Sequence, residues 1–299
     1  MKIPPYLKKG DTVAIVCTAR KFFPEDAKPA IDLLSSWGLK VKLGATIGLD
    51  SCQLGGTDLE RAADFQNMMD DENIKAIWCA RGGYGTVRMV DLLDFTKFKK
   101  NPKWIMGFSD VTVLHSQVNA ERVASMHCIM PFTVPKASDE VKETLRKALF
   151  GEKIEYTIPA KPYDIQGKAD GELVGGNLSI LYSLLGSKSS LDTNNKILFI
   201  EDLDEYLYHI DRMMYNLKRN GYFENLKGLI VGGMTDMHDN EIPFGQNAVQ
   251  IITAIAKEYN IPVCFDFPAG HVKDNRALLL GKQVDFEVNE KEVFLKFKE

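Results

Sequence analysis

Through the first half of the chain, short apolar runs alternate with segments of helical spacing, and this rhythm constrains the fold more than any other feature. Residues 12–17, 40–43, 74–80 and 103–108 read as strands. Between the first two, residues 24–37 place Ile31, Leu33, Leu34 and Trp37 at helical spacing, and Gly38 ends the segment. Thr57-Asp58-Leu59-Glu60 reads as a capping box that opens a helix through about Met69. A further helix, through about Leu93, is expected after Arg81-Gly82-Gly83-Tyr84-Gly85. Such a βαβα pattern predicts a parallel sheet with helices on both faces. Ligands of these sheets bind beyond the carboxyl ends of the strands.

The pattern loosens after Pro131 and restarts near Gly171. The expected organisation is therefore an N-terminal domain over 1–135, a linker region over 136–167 and a C-terminal domain over 168–299. The linker should hold one charged helix and an edge strand. In the last part, 171–177 reads as a glycine turn into an apolar helix at 178–185. Strands are expected at 196–201, 228–234 and 262–267, helices around 210–217 and 246–258, and antiparallel strands over 277–298.

Composition removes several classes of function. The chain is 45% apolar and 26% charged, with no apolar window long enough to span a bilayer. Its formal charge is −4 and its basic residues are scattered, so neither nucleic acid nor a membrane is an expected partner. The five cysteines are odd in number and mostly lie in apolar runs, as thiols do in a reducing compartment. With no signal-type apolar run at the N-terminus, the expected location is cytoplasmic.

Chemistry enters at Lys103-Trp104-Ile105-Met106-Gly107-Phe108-Ser109-Asp110. Ser109 sits at a strand-to-helix corner, where a hydrolase nucleophile is presented, although Val111 stands where the G-x-S-x-G signature has its second glycine. The same corner would also serve as a plain helix N-cap. A serine nucleophile needs a base and an acid to orient it. Of the five histidines, His271 is the one that follows a predicted strand and a Pro268-Ala269-Gly270 turn; the bland alternative is a surface loop residue. Glu201 ends the apolar strand at 196–201, with a helix-capping cluster of Glu201 and Asp202 as its alternative. Ser109, Glu201 and His271 then follow the Ser…Glu…His order of α/β hydrolases. No P-loop, dinucleotide fingerprint or zinc spacing is complete, so neither a metal nor an organic cofactor is expected.

Arg81-Gly82-Gly83-Tyr84-Gly85, Gly107-Phe108-Ser109-Asp110, Gly175-Gly176-Asn177, Phe199-Ile200-Glu201-Asp202 with Ile210-Asp211-Arg212, and Gly270-His271 occur together and in order. In this the chain resembles the LD-carboxypeptidases, a family that includes muramoyl-tetrapeptide carboxypeptidases and microcin-immunity peptidases. The resemblance implies an α/β fold, with an N-terminal flavodoxin-like parallel sheet domain, a C-terminal β-rich α/β domain and the active site between them. It implies Ser109 as nucleophile, His271 as base and Glu201 as orienting acid. It also implies a murein peptide substrate cut before a terminal D-Ala, and a homodimer. The N–H groups of Asp110 and Gly83 are the expected oxyanion donors, and Arg81, Arg212 and Arg276 the candidates for the substrate's free carboxylate. One departure stands out: the first strand of relatives ends in an Ala-Pro-Ser type turn, whereas here it reads Val16-Cys17-Thr18-Ala19-Arg20. Two other readings fit less of the pattern. A microcin-immunity type peptidase would need an insertion between Ser109 and Glu201 that is not evident, and a silent two-lobed binding protein would not need the Ser109–Glu201–His271 set.

Overall fold

The computed structural model describes residues 1–298 of the chain. Its first sheet contains β1 (Thr12–Val16), β2 (Lys40–Leu43), β3 (Ile74–Cys79), β4 (Trp104–Gly107) and β5 (Ser125–His127). These run parallel in the order β2-β1-β3-β4-β5, the flavodoxin-like arrangement. Helices α1 (Pro24–Ser36), α2 (Asp58–Asp70), α3 (Thr96–Lys100) and α4 (Thr112–Ala120) lie in the connections. The capping box forms as spelled: Thr57 Oγ1 accepts the Glu60 N–H at 3.2 Å, and Glu60 Oε2 accepts the Thr57 N–H at 2.7 Å.

The rest of the chain supplies α5 (Asp139–Phe150), β6 (Glu155–Pro159), β7 (Gly167–Asn177), α6 (Leu178–Ser183), β8 (Ile197–Leu203) and α7 (Leu207–Arg219). Then come β9 (Gly228–Thr235), α8 (Ala248–Ala256), β10 (Val263–Cys264), β11 (Leu278–Leu280), β12 (Gln283–Val288) and β13 (Glu292–Phe297). The second sheet has the order β10-β9-β8-β7-β12-β13-β6, parallel on one side of β7 and antiparallel on the other. β6, from the expected linker, is its edge strand. In β12 and β13 the alternating pattern buries Val284, Phe286 and Val288, and Val293, Leu295 and Phe297. β11 leaves this sheet and pairs antiparallel with β5 in the first, so one apolar core runs through both lobes, from Val13 to Phe199 and Leu295. Among the described residues no helix is long and apolar enough to cross a membrane.

Three expectations need correction. Residues 171–177 are not a turn but the upper part of the eleven-residue β7. Its glycines serve close strand approach: a Cβ on Gly175 would stand 1.9 Å from the Phe199 carbonyl oxygen of β8. The helix expected before Leu93 is replaced by two 3-10 turns, Thr86–Arg88 and Val90–Leu92, which break at Met89. The strand at 262–267 shrinks to Val263–Cys264, since Asp266 takes a left-handed φ of 54° and turns the chain toward Pro268.

Candidate active site

Ser109 follows β4 and opens the turn into α4, with a left-handed φ of 63°. A non-glycine residue held there is strained, and such strain collects at functional sites. From Lys103 to Asn119 every residue except Ser109 is buried, so the fold hides the strand, turn and helix and leaves the hydroxyl-bearing residue accessible. The elbow is held from below by Asp110, whose Oδ2 accepts the Thr86 N–H at 2.9 Å. Thr86 Oγ1 in turn meets Thr18 Oγ1 at 3.1 Å. The fully buried Arg61 donates to the carbonyl oxygens of Thr18 and, at 2.8 Å, of Gly85. Three loops, after β1, after β3 and after β4, are thereby locked in register around Ser109. Burial pushes the Asp110 carboxyl up, against the hydrogen bonds from Thr86 and the charge of Arg61.

The second lobe brings Glu201, on β8, and His271, in the loop after β10. Glu201 is fully buried. Its Oε2 accepts both the His271 Nδ1–H at 2.7 Å and the His271 backbone N–H at 3.0 Å. This approach requires Gly270, whose Cβ would lie 2.5 Å from Glu201 Oε2. With Nδ1 engaged, Nε2 is the ring nitrogen free to work in the cleft. Burial disfavours the imidazolium, but the Glu201 hydrogen bond and the charges of Glu201 and Asp202 outweigh it and raise the His271 pKa above 6.5. Burial and the neighbouring Glu201 push the Asp202 carboxyl up to about 7.

Asn177, at the end of β7, joins these groups. Its Nδ2 donates to Asp202 Oδ1 at 2.9 Å and to Glu201 Oε1 at 3.3 Å, and its Oδ1 caps α6 through the Ile180 N–H at 3.2 Å. Its own N–H donates to Thr112 Oγ1 of α4 at 2.9 Å, a bond that registers one lobe on the other. Sequence reasoning does not single out Asn177 as a site residue; the signal is the Gly175-Gly176-Asn177 end of β7, whose glycines imitate a turn.

Ser109, Asp110, Gly83, Arg81 and His271 line one cleft between the lobes, of about 590 Å³. Among the described residues no hydrogen bond joins Ser109 to His271, whose ring instead packs on Phe108 at a centroid distance of 4.9 Å. The first lobe contributes Arg20, Arg81 and the buried Asp110 to the cleft, and the second contributes Asp202, Asp204, Glu205 and His271. Arg212 and Arg276 do not line it. Arg212 stacks over Tyr208 in a separate depression with Tyr215 and Arg219, and Arg276 forks onto Asp274. A larger depression of about 680 Å³, between Met1, Tyr6, Gly151 and Lys298, contains no serine, cysteine or histidine. The other histidines are held elsewhere: His115 by Ser125 and Gly107, His209 by Glu205, His238 by Asp204, and His127 inside the apolar contact of Phe108 and Phe199.

Comparison with known proteins agrees with this architecture. The chain is 36% identical over 298 residues to the probable murein peptide carboxypeptidase of Bacillus subtilis, covering 96% of this chain and 92% of that protein. It is 27% identical over 290 residues to the murein tetrapeptide carboxypeptidase of Pseudomonas aeruginosa, with 93% of each covered. The crystal structure of muramoyltetrapeptide carboxypeptidase from Oxalobacter formigenes shares the fold, with a TM-score of 0.87 at 24% identity over 96% of this chain and 99% of that one. Residues 13–128 match the LD-carboxypeptidase N-terminal domain and residues 170–286 the LD-carboxypeptidase C-terminal domain, and the chain therefore belongs to the LD-carboxypeptidase family.

Proposed function

We propose that this protein is a serine carboxypeptidase that cuts the L,D-amide bond releasing terminal D-alanine from murein tetrapeptides in cell-wall recycling. The observation that carries this reading is the strained Ser109 elbow sharing one cleft with His271, whose Nδ1 is already committed to a fully buried carboxylate. In the proposed reaction His271 Nε2 takes the Ser109 proton as Oγ attacks the scissile carbonyl carbon. The tetrahedral oxyanion is met by the N–H groups of Asp110 and Gly83. Collapse breaks the C–N bond, and His271 returns the proton to the amine of the leaving D-alanine. Water, deprotonated by the same imidazole, then hydrolyses the ester to free the tripeptide and Ser109. Glu201 fixes the imidazole tautomer and stabilises the imidazolium. Hydrogen bonds of this kind are commonly long before substrate binds and tighten in the complex, which fits the open Ser109–His271 contact. The cytoplasmic location and the homodimer implied by the family resemblance belong to the same proposal.

Incubation with a murein tetrapeptide ending in D-Ala, followed by mass analysis of the peptide, tests the reading. Loss of one alanine with the natural protein and none with Ser109→Ala is expected. No loss with either protein would overturn it and turn attention to a peptidyl-nucleotide substrate or a silent binder.

A further inference from the structure

The loop after β1, which begins at Cys17, delivers the Arg20 guanidinium to the cleft. Arg20 and Arg81 both line it, and among the described residues neither pairs with a carboxylate, whereas Arg61, Arg88, Arg146 and Arg276 all do. Arg20 Nε is buried and has no hydrogen-bond partner. Two unpaired cations side by side are costly in a half-closed site. Burial and the charge of Arg20 hold the Arg81 guanidinium below its usual range, against the pull of Asp26. Arg81 is nonetheless fixed in place, with its guanidinium carbon 4.0 Å from the centre of the Phe132 ring.

The glycine pair between them explains the placement. A Cβ on Gly82 would stand 3.2 Å from Ser109 Oγ, and a Cβ on Gly83 would stand 2.6 Å from Arg20 Cδ and Nε. The Ser109 side chain and the Arg20 stem thus pack against two consecutive glycines on the floor of one cleft. In a peptide substrate the scissile carbonyl carbon and the terminal carboxylate carbon are also one residue repeat apart, at most about 3.6 Å. A C-terminal carboxylate one residue beyond a carbonyl held at Ser109 would lie in the same cleft as Arg20 and Arg81. An internal peptide bond would put a neutral amide there, with the chain continuing into the two arginines.

We propose that Arg20, together with Arg81, forms a paired-guanidinium subsite for the free α-carboxylate of the substrate's last residue, and that this subsite restricts Ser109 to C-terminal bonds. The inference rests on the peptidase reading above for its ligand, and its test separates the two. Binding is measured by calorimetry in the Ser109→Ala background with a tetrapeptide carrying either a free C-terminal acid or a C-terminal amide. The acid is expected to bind 10- to 100-fold more tightly, as charge-assisted bidentate hydrogen bonds require. Adding Arg20→Gln should erase most of that preference and leave amide binding unchanged. In the otherwise natural protein, Arg20→Gln should raise KM for the free acid far more than it lowers kcat. Equal binding of acid and amide, or an equal loss of both in Arg20→Gln, overturns the proposal. Acid-selective binding that depends on Arg20, with no hydrolysis by the natural protein, upholds the subsite and overturns the peptidase reading.

Discussion

At the scale of single residues, the proposed chemistry depends on which proton His271 carries. A general base must be neutral, so kcat/KM should rise with pH through the His271 pKa, with a midpoint above 6.5. Asp202, its carboxyl pushed up to about 7, is only partly charged over this range and adds the smallest share to that rise, so Asp202→Asn should move the acid limb slightly to lower pH with the product unchanged. Glu201→Gln should move it further and cut kcat by about 10⁴, the size of effect seen when a triad acid becomes an amide and presents the wrong tautomer. A pH–rate profile of the three proteins checks both; an acid limb that stays put in both variants would contradict the coupling. Ser109, Glu201 and His271, which the structure brings to one end of the two sheets, could be singled out in the sequence because each lies in or just beyond an apolar run that reads as a strand. Arg20 was visible only as a departure from a pattern. Arg212 and Arg276 looked equally suitable, because a sequence does not say which face of α7, or which side of the loop after β10, meets the cleft.

At the scale of elements, the parallel strands declared themselves because buried strands are continuous apolar runs. β7 did not. Its glycines imitate a turn, yet they exist to let β8 approach, a tertiary reason that local spacing does not carry. This predicts opposite outcomes for two alanine substitutions. Gly175→Ala brings a Cβ within 1.9 Å of the Phe199 carbonyl, at a φ of 134°, and should cost at least about 3 kcal/mol, lowering the urea midpoint sharply or preventing soluble expression. Gly82→Ala meets Ser109 Cβ and Oγ at 3.1 and 3.2 Å and the flexible end of Met130 at 3.4 Å, and should leave the urea midpoint nearly unchanged while lowering kcat, because the nucleophile itself must shift. The same loss of stability in both would refute the distinction.

At the scale of the whole molecule, the two lobes are distinct sheets that share a core. β11 reaches back from the C-terminal part and covers β5 with Leu278, Leu279 and Leu280, all at most 2% exposed. Burial of three leucines is worth roughly 5–9 kcal/mol, comparable with the whole stability of an ordinary domain. A fragment of residues 1–135 should therefore show no cooperative thermal transition by circular dichroism; a sharp melt near that of the intact chain would contradict the shared core. This return strand was foreseen as a strand but not as a member of the first sheet, since nothing local in three leucines names their partner. The arrangement sets Ser109 on one lobe and His271 with Glu201 on the other, so their cooperation is the central claim. Reaction with a fluorophosphonate, read by intact mass and peptide mapping, tests it most directly. The account predicts one adduct, on Ser109, formed by the natural protein and lost in His271→Ala; an adduct elsewhere, or one formed equally without His271, would contradict it.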